Sequence, residues 1–467
     1  MRGETYYKRA SYFSKSYAAF SSCPLRPSSP FPRIAKSPPL VRREIKCLFP
    51  QSIRRFCHYQ KIHRDFMLKK LNLNKISRLV ENIVGQSELE DKISASKKLK
   101  IKYGVDVTAP FLHLGHAVNL WIMRAFQENG HKVIFLIGDF TTRIGDPTGK
   151  SETRPQVSRQ KIEENSIEFI RQVKKILLTS EHLFEIRKNS EWYDKMSLDG
   201  FLSIASMCTH ARLIQRDMFK KRIESQKEIF MHEMLYPIFQ GYDSVMLESD
   251  LTVVGNDQLF NEQMGRLYQE KFNQSPQAII TSKITPGTDG QEKQSKSLGN
   301  YIALDDSGRE KFGKVMSLPD KLIIPYFEIY TTVSDEEISQ LKIDLENERV
   351  NPMECKKDLA TKIVERYHEP LVALDERRWF EDTFSKGKIP RDAVVPLIIE
   401  KDEDLISAIR NKTGYSRSAI NRLIESGAMR INDIKMTKAY LAEIDLKEGD
   451  IIKLGKMMWF EIRLSQN

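Results

Sequence analysis

The pattern of apolar and polar positions is most regular between residues 99 and 140. Leu99 to Val105 forms a short apolar run that predicts a buried strand, and Lys132 to Phe140 forms a second one. Between them, apolar side chains recur at helical spacing from Gly115 to Glu128. A strand, a helix and a strand in this order predict a β–α–β unit.

The same pattern divides the rest of the chain. The predicted catalytic domain is 67–300, and a helical insertion occupies about 155–235. Helical spacing marks a helical domain at 301–385, a linker follows at 386–402, and 403–467 combines a capped helix with short strands. The predicted fold class is α/β: a Rossmann-like parallel-sheet domain, then an α-helical domain and a small α+β domain.

Residues 1–66 differ from the remainder in composition. They are rich in Arg, Ser and Pro and carry 14 basic against 3 acidic residues, whereas the rest of the chain carries 60 of each. The net charge of +11 therefore belongs to this segment and gives no support for nucleic-acid binding by the body. Two interpretations remain open: an organellar transit peptide, or an upstream extension of a chain that begins at Met67.

Five cysteines without a CxxC pair indicate a reducing compartment, with neither a disulfide framework nor a zinc site. We expect a cytoplasmic protein, or one of the mitochondrial or plastid matrix if residues 1–66 are a transit peptide. No apolar run reaches the length of a membrane span.

The first candidate chemistry lies at the loop before the predicted helix, in the sequence HLGH. His113 and His116 stand where unpaired backbone N–H groups and the helix dipole favour phosphate, and Gly115 lets a nucleotide approach the backbone. Imidazoles at such a place can stabilise a phosphorus centre that gains negative charge. The pattern suits nucleotidyl transfer, although histidines that merely cap a helix would look the same.

A second motif lies downstream, where KQSKS brings Lys293 and Lys296 onto one short loop that suits a pyrophosphate leaving group. With HLGH, this pair resembles the HIGH and KMSKS motifs of class I aminoacyl-tRNA synthetases. The differences, Leu114 for Ile and Gln294 for Met, leave every charged group of the motifs in place.

A third cluster lies on a predicted helix after residue 228. Tyr236, Gln240 and Asp243 are four and three residues apart, so that their polar groups share one face. Such a stripe is usually a satisfied core network. Here a phenol, an amide and a carboxylate also suit an amino acid with a polar head and a hydroxylated ring.

These blocks resemble the tyrosyl-tRNA synthetase family, which also has IGDPTG, here at 144–149, and GxDQ, here at 255–258. The resemblance extends over the whole body from residue 67. It implies tyrosine contacts from Asp146, Tyr236, Gln240, Asp243 and Gln258. It implies ATP contacts from Asp106, Thr108, Gly115, Gly255, Asp257 and Lys296. The implied catalytic groups are His113, His116, Lys150, Arg154, Lys293 and Lys296.

The chain departs from the family at two positions. Many members have a second tyrosine two residues before Gly104 that shares the substrate hydroxyl, whereas this chain has Lys102 followed by Tyr103. The second hydroxyl contact is therefore open. At Val254 the family commonly has Gly, and the larger residue could crowd an adenylate.

The C-terminal unit resembles the S4 RNA-binding domain, which has a helix with spaced arginines followed by a strand with a basic residue. The resemblance implies RNA contacts from Arg417, Arg422, Arg430 and Lys435. Solvated charges on a short helix are the alternative interpretation.

The predicted function is a tyrosine–tRNA ligase, with L-tyrosine, ATP and tRNA(Tyr) as substrates. Mg²⁺ would accompany ATP without a metal site held by the protein, and the family implies a homodimer without membrane attachment. Two alternatives are a nucleotidyltransferase of coenzyme synthesis and a catalytically inactive, synthetase-derived RNA-binding protein. The first leaves the Tyr236 helix unexplained, and the second predicts eroded histidines and lysines.

Overall fold

The computed structural model describes residues 73–145, 157–284, 286–295, 298–385, 394–400, 403–455 and 458–465. The predicted leader, residues 1–66, lies outside these ranges. Of the predicted site residues, Asp146, Lys150, Arg154 and Lys296 also lie outside them.

Six strands form the main sheet, in the order β1-β6-β5-β2-β3-β4. Their bounds are Val80–Val84 for β1, Lys100–Val105 for β2, Lys132–Ile137 for β3, Phe184–Lys188 for β4, Leu251–Gly255 for β5 and Ala278–Ser282 for β6. Strands β2 to β6 pair in parallel, and β1 runs antiparallel to β6. The predicted strand–helix–strand unit is confirmed, since a helix at Leu114–Glu128 connects β2 to β3.

The strand order creates a crevice beside β2. From β2 the chain proceeds outward through β3 to β4, then returns to place β5 on the opposite side of β2. The connections on the two sides of this point leave the sheet in opposite directions. In open α/β sheets, such a switch point at the carboxyl ends of the strands is where ligands bind.

Helices cover the sheet and fill the long return from β4 to β5. The helices of this part are Gln86–Ser94, Leu114–Glu128, Thr141–Ile144, Arg159–Val173, Ser190–Tyr193, Leu198–Ser206, His210–Leu213, Asp217–Glu224, Met231–Leu247 and Leu259–Lys271. Short 3₁₀ turns lie at Asn74–Leu79 and Asn256–Gln258. We call Leu114–Glu128 the histidine helix and Met231–Leu247 the pocket helix.

The predicted insertion at 155–235 was wrong in one respect, because it contains β4 as well as helices. The segment FEIRK has few apolar residues, and β4 is half-buried at the sheet edge, so its pattern resembles an exposed loop. Strand β1 was missed for a similar reason. Its sequence VENIV lies at the other edge of the sheet, and only Val80 of its five residues is buried.

The helical region after residue 300 packs on the sheet domain without a break in the core. Its helices are Gly308–Met316, Ile323–Tyr330, Asp335–Glu346, Pro352–Tyr367 and Pro370–Phe380, with a 3₁₀ turn at Asp320–Leu322 and a π-helical turn at Glu381–Ser385. Phe312, Tyr326 and Ile363 belong to the same buried cluster as Ile101 and Val118 of the sheet domain. Among the described residues, no helix has the length and apolar character required to cross a bilayer.

The C-terminal unit has its own five-stranded sheet, ordered β7-β11-β10-β8-β9. Its strands are Val394–Ile399 for β7, Met429–Ile431 for β8, Ile434–Lys435 for β9, Ile451–Leu454 for β10 and Met458–Leu464 for β11; its helices are Leu405–Thr413, Arg417–Glu425 and Lys438–Glu443. A separate apolar cluster lies between them.

The predicted linker at 386–402 was wrong for residues 394–399, which form β7. This strand pairs in parallel with β11 over six positions, from Val394 to Ile399. Pro396 within the run argued against a strand, because proline cannot donate to a ladder. The strand tolerates Pro396 because β7 is an edge strand with β11 as its neighbour on one side.

Candidate active site

A cavity of about 680 Å³ opens at the carboxyl ends of β2 and β5, the switch point of the sheet. This volume is within the usual range for small-molecule sites. Most of the predicted site residues line it: Asp106, Thr108, His113, Gly115, His116, Tyr236, Gln240, Asp243, Gly255, Asp257, Gln258 and Lys293. Side chains up to 187 positions apart in sequence thus meet in one place.

The two histidines start the histidine helix and cap it reciprocally. His113 Nδ1 accepts from the Gly115 N–H at 3.2 Å, and His116 Nδ1 accepts from the His113 N–H at 3.3 Å. Because a nitrogen that accepts carries no hydrogen, each ring in its neutral form has its proton on Nε2. The ring centroids are 3.9 Å apart. Helix capping and donation to a phosphate are thus compatible roles for the same imidazoles.

Backbone hydrogen bonds hold the two motifs together. The Leu114 N–H donates to the Ile302 carbonyl at 3.0 Å, and the Leu304 N–H donates to the Leu112 carbonyl at 2.9 Å. The segment that follows KQSKS therefore pairs with the segment that carries HLGH, on either side of a bridge between His113 and Ala303. This pairing explains how motifs separated by a whole domain come to act on one cavity.

The loop that carries Lys293 reaches the carboxyl end of β5. Lys293 Nζ lies 3.1 Å from Asp257 Oδ2, and both side chains are partly exposed to solvent. A Cβ at Gly255 would lie 2.7 Å from Asp257 Oδ1, so the absence of a side chain there leaves room for this carboxylate. At the next position of the loop, Gln294 Nε2 donates to the Tyr330 hydroxyl at 2.8 Å. The residue that replaces the usual Met therefore anchors the loop to the helical region.

Asp106 connects the end of β2 with the pocket helix. Its Oδ1 accepts from Thr141 Oγ1 at 2.8 Å and its Oδ2 from the Tyr236 hydroxyl at 3.0 Å. A Cβ at Gly138 would lie 2.4 Å from Thr141 Oγ1 and 2.5 Å from Asp106 Oδ1. Only glycine fits at that position, and the sequence had not singled it out.

Asp243 is a buried carboxylate of the cavity, with 4% of its surface exposed. Trp192 Nε1 donates to its Oδ1 at 3.1 Å, and Asn189 Nδ2 lies 3.4 Å from its Oδ2. Burial raises the pKa of Asp243 to about 6, against the positive charge of Lys102 and these hydrogen bonds, which lower it. The Asp243 carboxylate is thus a buried acceptor, and Trp192 and Asn189 donate to it.

A hydrogen-bonded chain of amides connects Gln240 and Gln258, which both line the cavity. Asn261 Nδ2 donates to Gln240 Oε1 at 2.8 Å and to Gln258 Oε1 at 2.9 Å. Gln240 Nε2 in turn donates to Glu262 Oε1 at 2.8 Å. Since both ends of the Gln240 amide have partners, its orientation is determined before any ligand arrives.

Four polar residues that hydrogen-bond to the lining residues were not predicted from the sequence: Asn189, Trp192, Asn261 and Glu262. Asn261 and Glu262 follow the GxDQ block within one helical turn, so helical spacing from Gln258 could have indicated them. Asn189 and Trp192 lie at and after the end of β4, the missed strand, and no local signal marks them. Val254 lines the cavity as expected and is 6% exposed.

The four predicted RNA-binding residues are exposed in the C-terminal unit. Arg417 begins the Arg417–Glu425 helix and Arg422 lies further along it, whereas Arg430 of β8 and Lys435 of β9 are opposite each other in the ladder. A Cβ at Gly427 would lie 1.8 Å from Lys435 Cε, so the lysine stem crosses the end of that helix.

Within the described residues, no group of three or more His, Cys, Asp or Glu side chains is arranged to hold a metal ion. The polar groups that line the cavity are imidazoles, lysines, amides, hydroxyls and carboxylates. A parallel sheet whose switch-point cavity brings the HLGH histidines together with Lys293 is similar to the class I aminoacyl-tRNA synthetases.

Comparison with known proteins narrows this class. The family model for class I tRNA synthetases (W and Y) matches residues 94–385. The tyrosine–tRNA ligase of Moorella thermoacetica is 40% identical over 390 residues, which cover 82% of this chain and 94% of that protein. The tyrosine–tRNA ligase 2 of Photorhabdus laumondii is 39% identical over 84% of this chain and 99% of that one. The chain belongs to the tyrosyl-tRNA synthetase family.

Solved structures agree on the fold. A C-terminally truncated mitochondrial tyrosyl-tRNA synthetase from Aspergillus nidulans superposes with a TM-score of 0.55 at 22% identity, covering 70% of this chain and all of that one. The tyrosyl-tRNA synthetase from Archaeoglobus fulgidus gives a TM-score of 0.52 at 21% identity over 67% of this chain and 99% of that one. The Rossmann-like prediction is thereby confirmed.

Proposed function

We propose that this protein is a tyrosine–tRNA ligase. It activates L-tyrosine with ATP to tyrosyl-adenylate and pyrophosphate, then transfers the tyrosyl group to the 3′ end of tRNA(Tyr). The observation that carries the proposal is the buried Asp243 carboxylate at one end of a cavity whose other end holds His113, His116 and Lys293. The relatives named above carry the same activity in their names, which argues against the catalytically inactive alternative.

The ring end of the substrate would lie against Asp243. A phenol O–H donates to the carboxylate, whereas phenylalanine would leave a buried anion without that partner. Tyr236 and Gln240, with Asp146 outside the described residues, would hold the ammonium group, and Gln258 would lie beside the carboxylate. The amide chain supports this arrangement, because it presents Gln240 and Gln258 in set orientations.

The reacting end would lie between the two motifs. The tyrosine carboxylate attacks the α-phosphorus in line and pyrophosphate leaves. The Nε2–H groups of His113 and His116 donate to phosphate oxygens whose negative charge grows in the transition state. Lys293 would exchange Asp257 for the pyrophosphate, and Asp257 would then be available to the ATP ribose. Thr108, Lys150, Arg154 and Lys296 are proposed to surround the phosphates, and Mg²⁺ to enter with ATP.

Tyrosine-dependent exchange of pyrophosphate into ATP tests the first step. The assay is run without tRNA, with phenylalanine and tryptophan in parallel. Exchange with tyrosine alone supports both the chemistry and the role of Asp243. Folded protein that exchanges with none of the three amino acids would contradict the proposal.

We further propose the domain division: 67–300 catalytic, 301–385 for the anticodon region, and the C-terminal unit, here extended to include β7, as an S4-like RNA-binding domain. The exposure of Arg417, Arg422, Arg430 and Lys435 supports RNA contact. Replacing Arg417 and Arg422 with Gln should weaken tRNA binding and flatten its salt dependence while leaving exchange intact. Arg463→Gln is the matched control, because Arg463 is paired with Glu448 and Glu461 in the same unit.

A homodimer is proposed from family membership, and exposed apolar side chains of the insertion agree with it. Leu198 and Met231 are 72% and 70% exposed, and sedimentation equilibrium would test the subunit count. We propose a cytoplasmic location, or an organelle matrix if residues 1–66 are a transit peptide. N-terminal sequencing of the native protein would distinguish the two.

A further inference from the structure

Lys102 is a buried lysine in the central strand of the main sheet. It lies in β2 between Ile134 of β3 and Thr252 of β5, and 1% of its surface is exposed. It also lines the cavity. An ammonium group is costly to bury unless it is paired and its N–H donors are satisfied. Its position, two residues before Gly104, is one of the two at which the chain departs from the family pattern.

The protein supplies two partners for this ammonium group. Lys102 Nζ lies 2.8 Å from Glu262 Oε2 and 2.8 Å from Ser244 Oγ. Glu262 is itself 2% exposed and also accepts from Gln240 and from Gln277 Nε2, the latter at 2.9 Å. A lysine has three N–H donors, and only these two partners occur among the described residues.

Asp243 is next to Ser244 on the pocket helix and faces the same cavity as Lys102. A carboxylate can only accept hydrogen bonds and an ammonium group can only donate them. A hydroxyl does both, so it is the group that satisfies an acceptor and a donor on the same wall at once. A bare aromatic ring satisfies neither.

We propose that Lys102 is a specificity-determining residue for tyrosine: its third N–H donates to the phenol oxygen, whose O–H donates to Asp243. This inference rests on the proposed function. Glu262 then has two roles, since it balances the charge of Lys102 and orients Gln240 toward the substrate. The lysine supplies the second hydroxyl contact that the sequence had left open.

The test compares kcat/KM for tyrosine and phenylalanine in pyrophosphate exchange. Lys102→Met removes the charge and the donors but keeps the length of the stem. We expect kcat/KM to fall roughly 10- to 100-fold for tyrosine and to change less than about threefold for phenylalanine. Lys92→Met is the matched control, because Lys92 is a half-buried lysine paired with the buried Asp250 away from the cavity. It should leave the ratio of the two substrates unchanged.

Lys102→Met leaves Glu262 without its cation, so the double variant Lys102→Met/Glu262→Gln is made in parallel. In this double variant both positions are uncharged, and the amide oxygen introduced by Glu262→Gln can still accept from Gln240 Nε2. Collapse of the tyrosine-to-phenylalanine ratio in either folded variant supports the proposal. An equal loss for both substrates assigns Lys102 a structural role alone and overturns it.

A third comparison uses the wild-type enzyme and needs no variant. In 4-aminophenylalanine the para group still donates to Asp243 but is a poor acceptor for Lys102. We expect its kcat/KM to be roughly tenfold or more below that of tyrosine; equal values would overturn the proposal. Wild-type protein that exchanges with no amino acid would contradict the proposed function itself, whereas normal exchange insensitive to Lys102 contradicts only this inference.

Discussion

Replacing Asp243 with Asn is the sharpest perturbation of the substrate pocket. The carboxylate accepts from Trp192 Nε1 on one oxygen and faces Asn189 Nδ2 with the other. An asparagine of the same shape keeps one acceptor and turns an NH₂ group toward one of these donors. The tyrosine hydroxyl then loses its anionic acceptor, and a donor meets a donor inside the wall.

The two costs can be estimated separately. A hydrogen bond to a charged group contributes about 1.5–3 kcal/mol, and a buried polar group without a partner costs about 1–3 kcal/mol. The second cost is already present in the free enzyme, so it lowers stability and cancels in kcat/KM. The lost hydrogen bond alone predicts a roughly 10- to 10²-fold loss of kcat/KM for tyrosine. Phenylalanine makes no such bond and no longer has to face a buried anion, so its kcat/KM should stay constant or rise.

Pyrophosphate exchange with both amino acids measures the effect. Asp250→Asn is the control, because Asp250 is a buried carboxylate paired with Lys92 and Lys97 at the opposite end of β5 from the cavity. That variant should lower stability without changing the ratio of the two substrates. A proportional loss for tyrosine and phenylalanine in Asp243→Asn would refute the assignment of this carboxylate to the hydroxyl.

Four further predictions concern Asp243, His116 and the buried Arg222–Glu233 pair. Because the pKa of Asp243 is raised to about 6, kcat/KM for tyrosine should fall as the pH is lowered through about 6, and Asp243→Asn should abolish that limb. The unfolded chain loses the Asp243 proton near pH 4, whereas the folded protein keeps it until about pH 6. Asp243 therefore lowers the free energy of unfolding as the pH rises from about 4 to 6. In urea titrations, Asp243→Asn should lack this pH-dependent loss of stability. His116→Ala should slow adenylate formation a hundredfold or more, about 3 kcal/mol, at unchanged tyrosine affinity in stopped-flow assays; an unchanged rate would exclude this imidazole from the mechanism. Arg222→Met leaves the buried Glu233 unpaired and should lower the free energy of unfolding by about 3–5 kcal/mol in urea titrations, with recovery in Arg222→Met/Glu233→Gln.

Local pattern alone determined a large part of this protein. The apolar runs and the helical spacing between residues 99 and 140 predicted β2, the histidine helix and β3, because burial of one face leaves a period in the sequence. The spacing of Tyr236, Gln240 and Asp243 likewise predicted one shared face, and all three side chains line the cavity. The edge strands β1, β4 and β7 were missed, since a half-exposed strand leaves a weak period and Pro396 disguised the last one.

The order of the strands decided which distant residues meet in the pocket. Lys102 meets Glu262 only because β5 and the helix that follows it return to the side of β2 opposite β3. Asn189 and Trp192 reach Asp243 only because β4 is parallel to β2 and β3, so that its carboxyl end lies on the cavity side of the sheet. Periodicity records which side of an element is buried, but it carries no information about which distant element buries it. The partner of a buried charge is therefore set by the tertiary structure, and with it the details of how the pocket recognises a hydroxyl group.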